Sequence, residues 1–211
     1  MRKILEFDDC KEAIFIKRIN RFLVKTSIGL ANLKDSGRLP NLLKGSKILL
    51  IKKDYKKRKT KYEILAFEHE NKWIFSNSGY HSLLFEKSLN KNLIRLKKGS
   101  LKKEVKVEHS RIDFQIGKTL IEIKGCTWCV EDYCYFPDTR TIRGEKHLEI
   151  LKKYKGILIF LAFCGKKVKI VEKNFRNKLK ECIKHGVRVR AYKYSFRDCS
   201  LYFEGKIPVE I

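Results

Sequence analysis

Arg111-Ile112-Asp113-Phe114-Gln115-Ile116-Gly117-Lys118-Thr119-Leu120-Ile121-Glu122-Ile123-Lys124 is the stretch that decides the fold of the second half of the chain. It reads as two alternating strands around a Gly117-Lys118 turn. A two-residue loop makes the numbers of facing residues sum to 235, so Asp113 faces Glu122 and Arg111 faces Lys124. Alternate residues share a face, which puts all four charged side chains together. Ile112, Phe114, Ile116, Ile121 and Ile123 line the other face, a strip fit for a core.

Two carboxylates set opposite one another repel. A divalent cation relieves that repulsion, and carboxylate oxygens suit Mg²⁺ or Mn²⁺. Lys124, two residues along from Glu122, is close enough to orient a water or steady a developing negative charge. The set resembles what metal-dependent phosphodiester cleavage needs: two acidic ligands, a neighbouring cation and an open coordination position. The same charges also allow a checkerboard of weak diagonal ion pairs, Asp113 with Lys124 and Arg111 with Glu122, on a solvated face. Upstream, the residues from Lys103 to Glu108 alternate again, and a turn at His109-Ser110 puts Glu104 opposite Gln115, one diagonal step from Asp113.

The chain carries 49 Lys and Arg against 24 Asp and Glu, a formal charge of +25. That excess favours a polyanionic partner, nucleic acid first, over an ordinary Lys-rich surface balanced by Glu. With 43% hydrophobic residues a packed core is expected. No apolar run reaches membrane-spanning length, and the N-terminal segment lacks the apolar stretch of an export signal. Seven irregularly spaced cysteines do not form a secreted disulfide framework, so a cytoplasmic protein with mostly reduced thiols is expected. Cys126-Thr127-Trp128-Cys129 followed by Cys134 suggests zinc, with His147 the nearby fourth ligand, or a redox pair, or simply small buried side chains.

The first third is strand-rich: residues 12–26, 47–52, 62–67 and 73–75, with a turn at Glu70-Asn71. Short strands without a long helix suggest a small closed barrel of OB type over residues 1–78. Between its later strands lies a basic loop, Lys52, Lys53, Tyr55, Lys56, Lys57, Arg58 and Lys59, suited to neutralising phosphates while a tyrosine stacks on a base. Residues 79–211 read differently: a helix near 79–97, a meander (102–108, 111–116, 119–124), a helix near 142–155 ending at Gly156, a buried strand 157–163, a helix near 173–185 and a strand 187–192. That order predicts a mixed sheet flanked by helices.

Ser110-Arg111-Ile112-Asp113-Phe114, Ile121-Glu122-Ile123-Lys124, Tyr135-Phe136-Pro137-Asp138 and Arg143-Gly144-Glu145-Lys146-His147-Leu148 together resemble the sugar fermentation stimulation protein A (SfsA) family. Arg18-Ile19-Asn20-Arg21-Phe22 and Asn32-Leu33-Lys34-Asp35-Ser36-Gly37-Arg38-Leu39 extend the likeness over nearly the whole chain. The resemblance implies an N-terminal OB-like barrel, a C-terminal PD-(D/E)XK nuclease-like domain, non-specific DNA binding and a regulatory link to sugar (maltose) metabolism. It also implies an acidic core of Glu104, Asp113, Glu122 and Lys124, with the three carboxylates as ligands of Mg²⁺ or Mn²⁺, and Arg143, Lys146 and His147 facing the same cleft. Glu145, Ile142 and Asn77 depart from the family pattern, and the Cys126–Cys129 tract is not part of it. A non-catalytic DNA-binding regulator and an RNA-binding or RNA-processing protein are the competing readings. No helix-turn-helix is evident in the sequence.

Overall fold

The computed structural model describes residues 1–53 and 60–211. Its first strands are β1 (Arg2–Glu6), β2 (Lys11–Arg18), β3 (Leu23–Thr26), β4 (Gly29–Asn32), β5 (Lys47–Lys52), β6 (Tyr62–His69) and β7 (Lys72–Phe75). The single strand expected over 12–26 is a hairpin instead. Asn20 Oδ1 accepts from the N–H groups of Phe22 and Leu23 and turns the chain between β2 and β3. Five strands close on themselves: β2 pairs with β3, β3 with β4, β4 with β6, β6 with β5, and β5 with β2. The parallel β4–β6 pairing, Ala31 with Tyr62 and Asn32 with Glu63, shuts the ring. Phe15, Val24, Ala31, Ile48, Leu50 and Ile64 of these strands are buried. This is the expected OB-type barrel.

Then follow a 3₁₀ turn (Ser78–Tyr80), α1 (His81–Asn90), β8 (Leu101–Val107), β9 (Ser110–Ile116), β10 (Thr119–Cys126), β11 (Trp128–Val130), β12 (Tyr133–Phe136) and α2 (Ile142–Tyr154). The remainder is β13 (Ile157–Ala162), β14 (Lys167–Ile170), α3 (Lys173–Lys184), β15 (Arg188–Arg197), β16 (Ser200–Ile207) and β17 (Val209–Glu210). The second sheet is mixed, as expected: β10, β13 and β15 run parallel, while β9 and β16 add antiparallel neighbours. All six residues of β13 are buried, because the strand has neighbours on both edges and is covered on both faces. Full burial contributes about 1.5–3 kcal/mol for each large side chain such as Phe160.

Several boundaries differ from the expectation. α1 stops at Asn90 rather than near 97. α2 ends on Lys155, which takes a left-handed φ of 48° and caps the carbonyls of Leu151 and Lys152. Gly156 serves a different end: a Cβ there would meet the Leu120 carbonyl oxygen at 2.8 Å. A separate four-stranded sheet, β11-β12-β14-β17, was not foreseen. β1, although first in the chain, pairs with β16 of the second unit, so the barrel segment expected over 1–78 gives up its first strand. β7 touches the same sheet where Trp73 pairs with Phe196.

The thiols also differ from the expectation of mostly reduced cysteines. Cys10 bonds to Cys199 and Cys129 to Cys164, leaving Cys126, Cys134 and Cys182 as buried free thiols. His147, the zinc ligand considered from sequence, lies instead against Glu122.

Candidate active site

The hairpin register is the expected one: Ile116 pairs with Thr119, Gln115 with Leu120 and Phe114 with Ile121, each summing to 235. The ladder stops there. The Asp113 carboxylate takes over, its Oδ2 accepting the Ile123 N–H at 2.7 Å. From that point β10 continues beside β13. Asp113, Glu122 and Lys124 border one cavity of about 590 Å³, together with Arg143 and His147.

Glu122 is 2% exposed. Its Oε1 accepts from Lys124 Nζ and from His147 Nδ1, each at 2.5 Å. Burial pushes the Glu122 carboxyl up, but the hydrogen bond from His147 and the nearby Lys124 charge outweigh it and hold it below the usual carboxylate range. Asp113 goes the other way. Burial, then repulsion from Glu122, raise it to about 6, against the opposing Ile123 N–H and Lys124. The two acids are thus driven apart, Glu122 downward and Asp113 upward. The diagonal checkerboard does not form: Lys124 pairs with Glu122, and Arg111 with Glu104.

Glu104 is the residue that the structure keeps out of the group. β8 pairs with β9 two residues out from the expected register, Lys102 rather than Glu104 facing Gln115. Glu104 itself adopts a left-handed φ of 50° and drops out of the ladder. Its carboxylate, 72% exposed, pairs with Arg111 Nη1 at 3.2 Å. Arg143 borders the main cavity and a smaller neighbouring one of about 400 Å³, which Lys146 and Arg111 also line. Lys53 donates to the Tyr80 hydroxyl at 3.0 Å, and Lys52 is the exposed last residue of β5. Tyr55, Lys56, Lys57, Arg58 and Lys59 lie outside the described residues.

Sequence reasoning missed several residues at this cavity. His81, from the first turn of α1, stacks on Phe163 with ring centroids 5.3 Å apart. Burial and the Lys124 charge lower it to about 4, so it is neutral, and its Nε2 is buried without a hydrogen-bond partner. Gly125 makes room for it, since a Cβ there would lie 2.9 Å from that nitrogen. Asp138 Oδ2 accepts from the Leu39 N–H at 2.9 Å, which ties the cavity wall to the Asp35-Ser36-Gly37 loop of the barrel. Burial raises Asp35 to about 6. Asp138 stood within Tyr135-Phe136-Pro137-Asp138, the one signal that pointed to it. Asn77, a departure from the family pattern, is buried and bridges Glu63 Oε1 and the Ile64 carbonyl.

Does this donor set suit a divalent metal? Glu122 Oε2 is buried and has no hydrogen-bond partner, an uncommon state for a carboxylate oxygen. Asp113 carries repulsion from the same group. A hard cation between them would satisfy both. Among the described residues no group of three or more His, Cys, Asp or Glu side chains converges to hold a metal. The fit is therefore to an ion that keeps waters and takes one or two carboxylates plus a substrate phosphate, as Mg²⁺ does.

Comparison with known proteins agrees with this layout. Residues 79–199 match the family model described as the sugar fermentation stimulation protein RE domain, and residues 16–76 match the SfsA N-terminal OB domain. A sugar fermentation stimulation protein homolog of Thermotoga sp. (strain RQ2) is 34% identical, covering 93% of this chain and 92% of the relative. The homolog of Saccharolobus solfataricus is also 34% identical, over 94% of this chain and 85% of its own. The solved structure of Pyrococcus furiosus SfsA in complex with Ca²⁺ superposes with a TM-score of 0.88 at 25% identity, over 100% of both chains. With a five-stranded barrel, a mixed sheet between helices, and relatives aligned over most of their length, the chain belongs to the SfsA family.

Proposed function

We propose that the protein binds DNA without sequence preference and hydrolyses its phosphodiester bonds with the help of Mg²⁺ or Mn²⁺. The observation that carries this reading is the buried, unpartnered Oε2 of Glu122 beside Asp113, in a cavity walled by Lys124 and Arg143. Pyrococcus furiosus SfsA was solved in complex with Ca²⁺, and by likeness that complex supports a site for a hard cation here. Asp113 and Glu122 would hold the ion, which lowers the pKa of a bound water and stabilises charge on the phosphate.

The protein's own residues do the rest. His147 and Lys124 both donate to Glu122 Oε1, so the carboxylate is oriented with its other oxygen free for the ion. Lys124 sits beside the site as a cation able to steady negative charge on the phosphorane. Arg143, Lys146 and Arg111 form a basic border that grips neighbouring phosphates. Glu104 has no part in this account, being paired with Arg111 at the surface.

The net charge of +25 favours a nucleic acid over a small phosphate ester. DNA rather than RNA is the polymer favoured by family likeness; RNA cleavage would transfer the assignment. The relatives' shared name motivates a link to sugar fermentation, and a nucleic-acid substrate motivates a cytoplasmic location. No described helix is long and apolar enough to cross a membrane.

The test is incubation of the protein with plasmid, single-stranded DNA and RNA in Mg²⁺, Mn²⁺ or EDTA. Cleavage dependent on metal and abolished in Asp113→Ala, with DNA binding kept, supports the proposal. Intact strands at high protein concentration leave only the DNA-binding reading. Cleavage that survives Asp113→Ala overturns the assignment of the site.

A further inference from the structure

Four of the seven cysteines gather at one place: Cys126, Cys129 and Cys134, close in the sequence, and Cys164, 30 residues beyond Cys134. Cys129 of β11 and Cys134 of β12 are direct cross-strand partners. Cys129 is bonded to Cys164, which follows β13. Cys134 Sγ lies 3.3 Å from Cys164 Sγ, so the third sulfur touches the existing disulfide. Cys126 also adjoins Cys134 and donates to the Tyr135 carbonyl at 3.2 Å.

The two bonded cysteines differ from Cys134 in what they reach. Cys129 and Cys164 border a cavity of about 370 Å³, distinct from the one holding Asp113 and Glu122. Its rim carries Lys166, Lys193 and Arg197 together with Glu70, Glu131 and Asp132, a mixture suited to a zwitterion. Cys134 is fully buried and does not border it.

We propose that Cys129, Cys134 and Cys164 form a thiol–disulfide exchange site, in which Cys164 changes partner and presents Cys129 to a small zwitterionic disulfide. In the first step the Cys134 sulfur attacks Cys164 Sγ. The Cys134–Cys164 bond forms, the Cys129–Cys164 bond breaks, and the proton of Cys134 passes to Cys129. Nothing is oxidised or reduced overall. In the second step Cys129, which borders the cavity, gives up that proton to solvent and its thiolate attacks one sulfur of the small disulfide. A mixed disulfide forms on Cys129, and one thiolate of the small molecule is released and takes up a proton. Cys126, whose thiol is held by the Tyr135 carbonyl, takes no part in the exchange.

Cystine is the probe, and peptide mapping reads the bonds. Cleavage after Glu131 separates Cys129 from Cys134. Wild-type protein should show both Cys129–Cys164 and Cys134–Cys164 linkages, and on incubation with cystine a single cysteine adduct on Cys129. Cys134→Ala should keep the Cys129–Cys164 bond and take at least tenfold less adduct. Cys129→Ser, which keeps both Cys134 and Cys164, should be oxidised by the added cystine to a Cys134–Cys164 bond, with release of two cysteine molecules. The proposal is overturned if wild type forms no adduct on Cys129, if Cys134→Ala forms as much, or if Cys129→Ser yields no Cys134–Cys164 linkage.

Discussion

Replacing Asp113 by Asn should make the metal-free protein more stable at neutral pH, and the size of the gain follows from the site. Asp113 has an ordinary value of 3.8 in the unfolded chain and about 6 when folded, raised by burial and by Glu122. The folded state therefore holds the proton more tightly than the unfolded state. Below 3.8 both states are protonated and the group has no effect. Between 3.8 and about 6 stability falls as pH rises, and above 6 the whole penalty is present. At about 1.4 kcal/mol per tenfold change in proton affinity, the gap corresponds to a penalty of about 3 kcal/mol. Asn removes the charge and keeps an oxygen to accept the Ile123 N–H. Asp35 is raised to a similar value, but it is present in both proteins and cancels in the comparison. Urea unfolding of wild type and Asp113→Asn in EDTA, at pH 4 and pH 8, measures the difference directly. The expected gain is near zero at the acid end and up to about 3 kcal/mol at the alkaline end. Added Mg²⁺ should close the gap by stabilising only the wild type. A variant less stable than wild type at pH 8, or a difference that ignores pH, would refute the repulsion argument.

Glu104→Ala should leave the cleavage rate within about threefold, since its carboxylate is exposed and its one partner is a surface arginine; a loss as large as that of Asp113→Ala would return it to the site. Gly125→Ala drives a Cβ into the His81 ring and should cost about 1–3 kcal/mol by thermal unfolding, with Gly125→Ala/His81→Ala recovering much of it. Thr141→Ala removes the hydrogen bond to the Gly144 N–H at the start of α2 and should lower stability by about 1 kcal/mol, read from the denaturant midpoint. DNA affinity should fall steeply as salt is raised from 50 to 200 mM, about 10³-fold or more for six phosphate contacts, in a fluorescence titration; a flat response would remove phosphate neutralisation as the basis of binding.

How far these features were readable from sequence depends on their range. The Asp113–Glu122 hairpin was legible because a two-residue turn and strict alternation set its register locally. The next hairpin was not, because its turn falls at Glu108-His109 and Glu104 takes a left-handed backbone that no alternation rule anticipates. The order of helices and buried strands followed from periodicity. The small second sheet escaped because Trp128–Val130 and Tyr133–Phe136 are too short to show a period. His81 and Asp138 join the cavity only through tertiary contacts, and the Cys10–Cys199 bond spans 189 residues.

The placement of β1 bears on how the barrel is held against the larger sheet. The excursion that builds the barrel leaves the larger sheet after β1, seated on β16, and rejoins it at β7, seated against Phe196. A module moored at two points cannot swivel as one hung from a single tether would. Under the proposed function, a strand held by the barrel would be presented to the cavity at a fixed angle and distance, and spacing along the polymer would become a property built into the chain's path.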